Sequence, residues 1–306
     1  MNLKDEKFDC CIVGDAMIDV IFPLKDKSDL DCIRCGGTIT SNSQFCIGGT
    51  ANVAINLSAL DLKTAFIGTV GMDVFGEYYS QKLKLMNVHP ELRTCDHRNT
   101  GVAFTVILPD KERFFLVDRG ANDCLTIGEQ VLSLCSRSGY LYISGYLLQS
   151  EQGYQEVLKL IHNVNSNTKI VFNPGSPNII QNHLKYFSEI LRNHVDILVL
   201  NEIEGEVLGI TDTSIQEVDF IETIALTKGK FGSTIKHNHS ITDVKPFPAT
   251  KIVNSSGAGD AFAAGLIYGL LHHWRIEDSG HFASRVAASV VESTNPNLIY
   301  SGSKFL

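Results

Sequence analysis

No apolar stretch in this sequence reaches the length of a membrane span. The opening residues, MNLKDEKFDCCIVGD, place acidic and basic side chains ahead of a short apolar run and lack the layout of a secretory signal. A soluble protein of the cytoplasm with no membrane partner is the expectation. Excess positive charge is also missing, because 26 Lys and Arg stand against 34 Asp and Glu, for a formal charge of −8. A general nucleic-acid binder needs a basic face to neutralise phosphates, so nucleic acid is not expected as a partner. Neither an internal repeat nor a low-complexity tract interrupts the 306 residues. That length can bury a large core as a single α/β domain, 1–306, carrying a lid.

Two nucleotide-binding signatures are absent as well. The first apolar strand runs into Gly14-Asp15-Ala16-Met17-Ile18-Asp19 and not into a GxGxxG turn, which argues against a nicotinamide enzyme. The run KGKFGST lacks the glycine five residues before its GK, so it is no P-loop. Eight cysteines in a chain of this kind read as reduced thiols. Only Cys32-Ile-Arg-Cys35 has metal-like spacing, and with Cys46 as its one near neighbour it falls short of the four ligands of a structural zinc. Cys10 and Cys11 sit in an apolar run and read as core.

What is present is an alternation of strands and helices. FDCCIV, residues 8–13, is a buried strand that ends at a turn. Residues 22–45 are polar and irregular, with alternation in GTITSNSQF, and read as edge strands of a lid near 20–47. TANVAINLSALDL is helical after Gly48-Gly49, AFIGTVGMDVFG is a strand and a loop, and 81–98 reads as a helix end and connector. GVAFTVILPDKERFFLVDRGAN predicts a hairpin about Pro109-Asp110, the second lid segment, near 99–120. Strands YLYISG, KIVFNPG, DILVLN and TIALTKG follow, with helices over 151–165 and 180–193 between them and over 260–273 and 278–291 after them. That order predicts a mostly parallel, doubly wound sheet with right-handed crossovers.

In such sheets ligands gather beyond the C-terminal strand ends. The loops there carry Asp15 and Asp19; Gly48, Gly49 and Asn52; Asn173; Asn201 and Glu204; Thr227, Gly229 and Gly232; and Asn254 to Asp260. Asp and Asn can bond sugar hydroxyls, and glycine lets backbone amides approach oxyanions. In NSSGAGDAFAAG, Gly257 and Gly259 uncover amides at the positive end of a helix. Asp260 lies at the same junction, either as a base beside a transferring phosphoryl group or as an ordinary helix cap. Asn201 and Glu204 share a face if a helix starts there, and can organise hydrated magnesium through Glu204 or simply begin the helix. TKGKFG is a nucleotide platform or a plain hairpin turn.

Together these elements resemble the ribokinase-like carbohydrate kinases, also called the PfkB family, over nearly the whole chain. NSSGAGDAFAAGLI is similar to the family's C-terminal signature, and the NxxE pattern stands about fifty residues upstream at Asn201 and Glu204. GTVGMDVFG resembles the GxVGxDxFG loop, Gly48-Gly49 with Asn52-Val53-Ala54 the N-terminal signature, and Arg119 to Asn122 the GAN element. The resemblance implies a three-layer ribokinase-like sandwich with a small β-strand lid. It implies transfer of the γ-phosphate of ATP, with Mg2+, to a hydroxyl of a sugar or sugar derivative. It also implies Asp260 as base, the amides of Gly257, Ala258 and Gly259 as anion hole, and Asn201 and Glu204 as the magnesium and phosphate group. Thr227, Gly229 and Gly232 then belong to the nucleotide loop, and Asp15, Asp19, Gly48, Gly49, Asn52 and Asn122 to the substrate side. Asn254 stands where some members carry an Asp tied to a monovalent cation, so the amide argues against K+ activation. Met17 replaces a polar contact of ribokinases proper, which disfavours ribose.

A nucleoside kinase of the same family is the second expectation, because a leading Asn also occurs among nucleoside-type members. The aromatics Phe45, Phe104, Phe114 and Phe115 in or beside the lid can stack a base or merely pack. A catalytically silent sensor on the same fold would show a damaged GAGD, which here is whole. Exposed lid edges point to a homodimer through the lid. A helix N-terminus should favour the charged form of Asp260 and make it a weak base.

Overall fold

Four apolar residues, Cys10–Val13, form the strand β1, and their alternation sets the layering of the chain. Cys10 and Ile12 join one buried cluster while Cys11 and Val13 join another on the opposite face, as the two-residue period of a strand requires. All four are fully buried, the mark of a strand covered on both sides. The computed structural model describes residues 7–38, 43–110 and 113–298. Within them the chain is a three-layer α/β sandwich with a small second sheet.

After β1 the chain turns at Gly14 and enters β2 (Ala16–Pro23), a short helix α1 (Asp29–Cys35) and β3 (Gln44–Gly49). Helix α2 (Ala51–Ala59), β4 (Thr64–Gly71), α3 (Val74–Leu85) and β5 (Val88–Cys95) follow. Then come β6 (Gly101–Ile107), β7 (Arg113–Asp118) and a tight 3₁₀ turn over Gly120–Cys124. The alternating part runs α4 (Glu129–Cys135), β8 (Tyr140–Ser144), α5 (Glu151–Asn163), β9 (Lys169–Asn173), α6 (Pro177–Asn182), α7 (Leu184–His194), β10 (Ile197–Asn201), α8 (Glu202–Leu208) and β11 (Thr223–Thr227). The strands β12 (Ser233–His237) and β13 (Ser240–Val244) precede two final helices, α9 (Ala258–Leu271) and α10 (Ile276–Val291).

The large sheet has the order β13-β12-β11-β10-β9-β8-β1-β4-β5. It is parallel from β11 to β5, with β12 and β13 added antiparallel at one edge. The small sheet, the lid, has the order β3-β2-β6-β7 and pairs β2 with β6 in parallel. Among the described residues no helix is long and apolar enough to cross a membrane.

Three features differ from the sequence expectation. Residues 88–95 are not a connector but the edge strand β5, parallel to β4. Pro90 and the charged Glu91 and Arg93 break the apolar pattern that marks interior strands, and an edge tolerates them. The helix expected over 180–193 is two helices that break at His183. The lid begins earlier than residue 20: β2 starts at Ala16, two residues after β1 ends, so Met17 and Asp19 are lid residues. The 22–45 segment also holds α1, while part of the expected alternation, residues 39–42, lies outside the described residues, as do 111–112 at the tip of the second lid segment.

Among the described residues, three α-helices start on a side-chain cap. Ser150 accepts from Gly153 N at α5, Asp73 from Gly76 N at α3, and Asn201 forms a reciprocal capping box with Glu204 at α8. Helix α9 has no such cap. Gly257 takes the cap position at φ +77° and no side chain caps the helix. It is apolar nearly all round, with every residue from Ala261 to Gly269 buried, so packing and not capping holds it. Gly265 and Gly269 let α10 come close, because a Cβ at Gly265 would meet the Ala283 backbone. Gly265→Val should therefore push α10 off α9 and cost about 1–3 kcal/mol. Urea unfolding of the variant measures it, and wild-type stability would show that the interface yields without strain.

Candidate active site

At the C-terminal ends of β9, β10 and β11 the chain leaves a cleft of about 260 Å³, lined by Asn173, Asn201 and Thr227 from the strand ends and by Glu204 behind them. Opposite stands the start of α9, with Gly257, Gly259 and Asp260 in the wall. The first-turn amides of a helix have no partner within the helix. No side chain caps this helix; Gly257 and Gly259 stand in the cleft wall, while Ala258 N donates to the Ser255 carbonyl at 3.4 Å. A Cβ at Gly257 would strike the carbonyl of Pro296, whereas one at Gly259 would meet open space, so Gly259 keeps the amides uncovered. Tyr146, packed against Gly175, completes the wall. It belongs to no motif, and no spacing or pattern points to it.

Asp260 caps nothing. Its Oδ2 accepts from Asn52 Nδ2 at 3.3 Å across the junction of α9 and α2. Burial pushes its carboxyl up to about 7, with Asp19 adding to the shift and Asn52 opposing it. The expectation that the helix end would favour the charged form of Asp260 is thereby corrected, because burial favours the neutral form. Asp19 is raised to about 6 by burial. Its carboxylate packs on the backbone of Gly48, where any Cβ would overlap it. Gly48 is fixed in turn by Tyr79, whose hydroxyl donates to the Gly48 carbonyl at 2.9 Å. Gly49 takes φ +66° where β3 turns into α2, hard against the Asp15 carbonyl. Asn52 Oδ1 is buried without a partner among the described residues, which leaves an acceptor for a hydroxyl from outside.

Two expected substrate residues are otherwise engaged. Asp15, buried, forms a two-pronged ion pair with Arg119, whose Nε donates to Asp123 at 2.9 Å. Burial raises the Asp15 carboxyl and Arg119 opposes the rise. Asn122 accepts from Ala16 N at 2.7 Å and donates to the carbonyls of Ala16 and Arg119. Its carboxamide therefore braces the start of the lid instead of reaching into the cleft. Arg119, read from the sequence only as the first residue of the GAN element, is the hub of this group.

On the other side Asn201 and Glu204 are held together by mutual bonds of 3.0 Å. Burial raises the Glu204 carboxyl, and its bonds to Asn201 oppose that. A buried carboxylate in an oxygen-lined cleft fits a hydrated magnesium ion, which needs few protein ligands. Thr227 bonds the Leu200 carbonyl at 3.2 Å, and Gly229 and Gly232 shape the adjoining turn with φ +53° and +91°. Asn254 accepts from Ser256 N at 3.0 Å and donates to the Thr294 carbonyl, so it orders the loop ahead of α9.

The model of the pfkB family of carbohydrate kinases matches residues 7–300. An Archaeoglobus fulgidus protein described as an uncharacterized sugar kinase is 29% identical over 78% of this chain and 95% of its own. A 5-dehydro-2-deoxygluconokinase of Clostridium botulinum is 26% identical over 95% of this chain and 89% of its own. In fold, the chain is similar to a probable sugar kinase of Rhizobium etli, with a TM-score of 0.86, 21% identity and 97% of each chain covered. Adenosine kinase of Sinorhizobium meliloti gives the same TM-score at 19% identity over 98% of each. The strands, the lid and the motifs at the cleft thus converge with the family match on one conclusion: the chain belongs to the pfkB family of carbohydrate kinases and is a phosphotransferase.

Proposed function

We propose that the chain transfers the γ-phosphate of ATP to a hydroxyl of a sugar or sugar acid, with Asp260 as the base. The observation that carries this is Asp260 itself, held at the uncapped end of α9 and bonded to Asn52. ATP supplies the phosphoryl group and Mg2+ the charge that neutralises its oxygens. Glu204 and Asn201 would hold that ion, and Thr227, Gly229 and Gly232 would flank the nucleotide. The amides of Gly257, Ala258 and Gly259 receive charge on the moving group. Asn52 and Asp19 orient the acceptor, and Asp260 takes its proton late in transfer. A carboxyl near 7 is half ionised at neutral pH, a better match for this work than an ordinary aspartate.

The substrate class follows from the lid. Register places Asp19 beside Cys46, Ala103 and, across β6, Val117, while Thr105 and Phe115 follow on the same face. Phe45, Phe104 and Phe114 fall on the other face. Phe45 packs on Phe75 and Tyr78 of α3, and Phe104 stacks on Phe22. Of the four aromatics, then, only Phe115 shares the face of Asp19, which favours a hydroxyl-rich acceptor over a base stacked between rings. The Clostridium relatives are named for a keto-deoxy sugar acid, so such acids head the substrate panel. The exposed apolar face with Phe104, Phe114 and Leu116 supports a homodimer through the lid. A monomeric mass by light scattering at micromolar concentration would count against it. A potassium requirement is not part of this reading, since Asn254 is engaged in its own loop.

Three outcomes are expected. ADP release with Mg2+ from a panel of hexoses, pentoses, keto-deoxy acids and nucleosides should respond to a sugar or sugar acid without K+. A response to nucleosides alone would replace the substrate class. Asp260→Asn should lower kcat by roughly 10²–10⁴ with little change in ATP affinity, and near-wild-type kcat removes Asp260 from the chemistry. In the wild type, kcat/KM should fall as pH drops below about 7, where the base becomes protonated.

The same variant carries a stability signature. A carboxyl raised from 3.8 to about 7 holds its proton in the folded state after the unfolded state has lost it. Stability therefore declines as pH rises through that window. Asp260→Asn should be more heat-stable than the wild type above pH 7, with the gain vanishing below 3.8. A constant difference at all pH values would mean that burial is not what shifts Asp260.

A further inference from the structure

Away from the cleft, Cys95, His97 and Cys124 bring three ligand atoms within 4.8 Å of one another. Cys95 ends the edge strand β5, and Cys124 ends the turn that follows the lid. They are 29 residues apart in sequence, yet their sulfurs are 2.9 Å apart. His97 Nδ1 and Nε2 lie 3.6 and 3.8 Å from Cys95 Sγ, and Nε2, the nitrogen not engaged by Asp96, lies 3.7 Å from Cys124 Sγ. Nothing in the phosphotransfer reading uses these side chains.

We propose that this cluster is a zinc site, with the thiolates of Cys95 and Cys124 and the imidazole Nε2 of His97 as ligands and water in the fourth position. The chemistry of the donors selects the metal: two soft sulfurs and an imidazole suit Zn2+, and magnesium or calcium would be refused. The size fits as well. Zn–S bonds of about 2.3 Å and a Zn–N bond of about 2.0 Å in a tetrahedron set the ligand atoms about 3.5–3.8 Å apart. The two Nε2–sulfur distances already match that spacing, and the sulfurs need to part by about 1 Å. The imidazole is also aimed: His97 Nδ1 lies 2.9 Å from Asp96 Oδ1, the carboxylate–histidine arrangement that orients a metal-binding ring. On binding, each thiol gives its proton to solvent as its sulfur bonds the ion.

The position of the cluster assigns it a structural effect. The turn Gly120–Cys124 contains Asn122, which braces Ala16, and directly follows Arg119, which pairs with Asp15. Zinc at Cys124 would tie that turn to β5, and with it the point where the lid leaves the core. The exposed pair Cys32 and Cys35 on α1 is not part of the cluster.

The test uses the full chain with Cys32→Ser and Cys35→Ser, reduced, stripped with chelator and titrated with Co2+ and then Zn2+. One equivalent of cobalt should bind with an intense thiolate-to-cobalt absorption and tetrahedral visible bands, both erased by zinc. Zinc should also raise the thermal midpoint. Cys124→Ser should abolish the thiolate absorption. His97→Ala, at an exposed side chain that the fold does not need, should weaken binding at least tenfold, and Asp96→Asn should weaken it about 10–100-fold. Absence of the thiolate absorption overturns the proposal, as does its persistence at full strength in both Cys124→Ser and His97→Ala. A chain that takes up no metal and loses two hydrogens in the mass spectrum on mild oxidation would make the pair a disulfide instead.

Discussion

Among the described residues Asp260 receives its one side-chain hydrogen bond from Asn52, 208 positions away in the sequence. For that bond to form, α2 and α9 must lie against each other on the same face of the large sheet. The residues of both helices are correspondingly small and apolar: Ala51, Val53, Ala54 and Leu57 on one, Ala261, Ala263, Ala264 and Leu266 on the other, all fully buried. Asn56, one turn after Asn52, reinforces the arrangement by accepting from Leu298 N at 2.8 Å. Core packing thus delivers the carboxylate to the cleft, and the polar contacts refine a position that the apolar residues have already set.

The electrostatics of that position are a contest between two effects of the same helix. Its amino end favours negative charge near Asp260, by an amount in the range of 0.3–1 kcal/mol at ordinary exposed sites, roughly. Burial deprives the carboxylate of water, and it is the larger effect here, since it raises the group to about 7 despite the donor from Asn52. Asp19 pushes in the same direction from the lid. Three carboxyls, Asp19, Glu204 and Asp260, are raised by burial around this region, the first from the lid and the other two from the cleft wall. Their common cause is loss of water, as it is for Asp15, where Arg119 opposes the rise.

Much of the fold was legible because the interior strands are short apolar runs and the helices between them are amphipathic. What escaped did so for physical reasons. β5 carries a proline and charges that only an edge strand accepts. The start of the lid at Ala16 could not be seen because β2 opens with AMI, as apolar as the core strand before it. Loop motifs located the cleft, since glycines and amides at strand ends have few other uses. The partners of those motifs were harder. Arg119 and Tyr146 acquire their surroundings only through tertiary contact, and no spacing in sequence links Arg119 to Asp15. The raised state of Asp260 was misjudged for a similar reason: the helix end is local and visible in GAGD, whereas the desolvation comes from distant segments.

The join between lid and core follows from one short connection. Only Gly14 and Asp15 separate the central strand β1 from the lid strand β2, so Asp19 is carried by a sheet anchored within a few residues of the core. The anchor is strong. Asn122 bonds both backbone groups of Ala16, and Arg119 pairs with Asp15 while holding Asp123 of its own turn. Gly14 has the Thr50 side chain pressed against it, leaving no room for a Cβ. A lid that moved relative to Asp260 would have to carry this clasp with it or bend beyond Ala16, because breaking the clasp would expose a buried ion pair and strand buried amides. The first residues of β2 are therefore tied to the core by buried contacts. If acceptor hydroxyls meet Asn52 and Asp19 as proposed, they would meet groups already tied to the core, which is the condition for orienting a hydroxyl toward a carboxylate at low entropic cost.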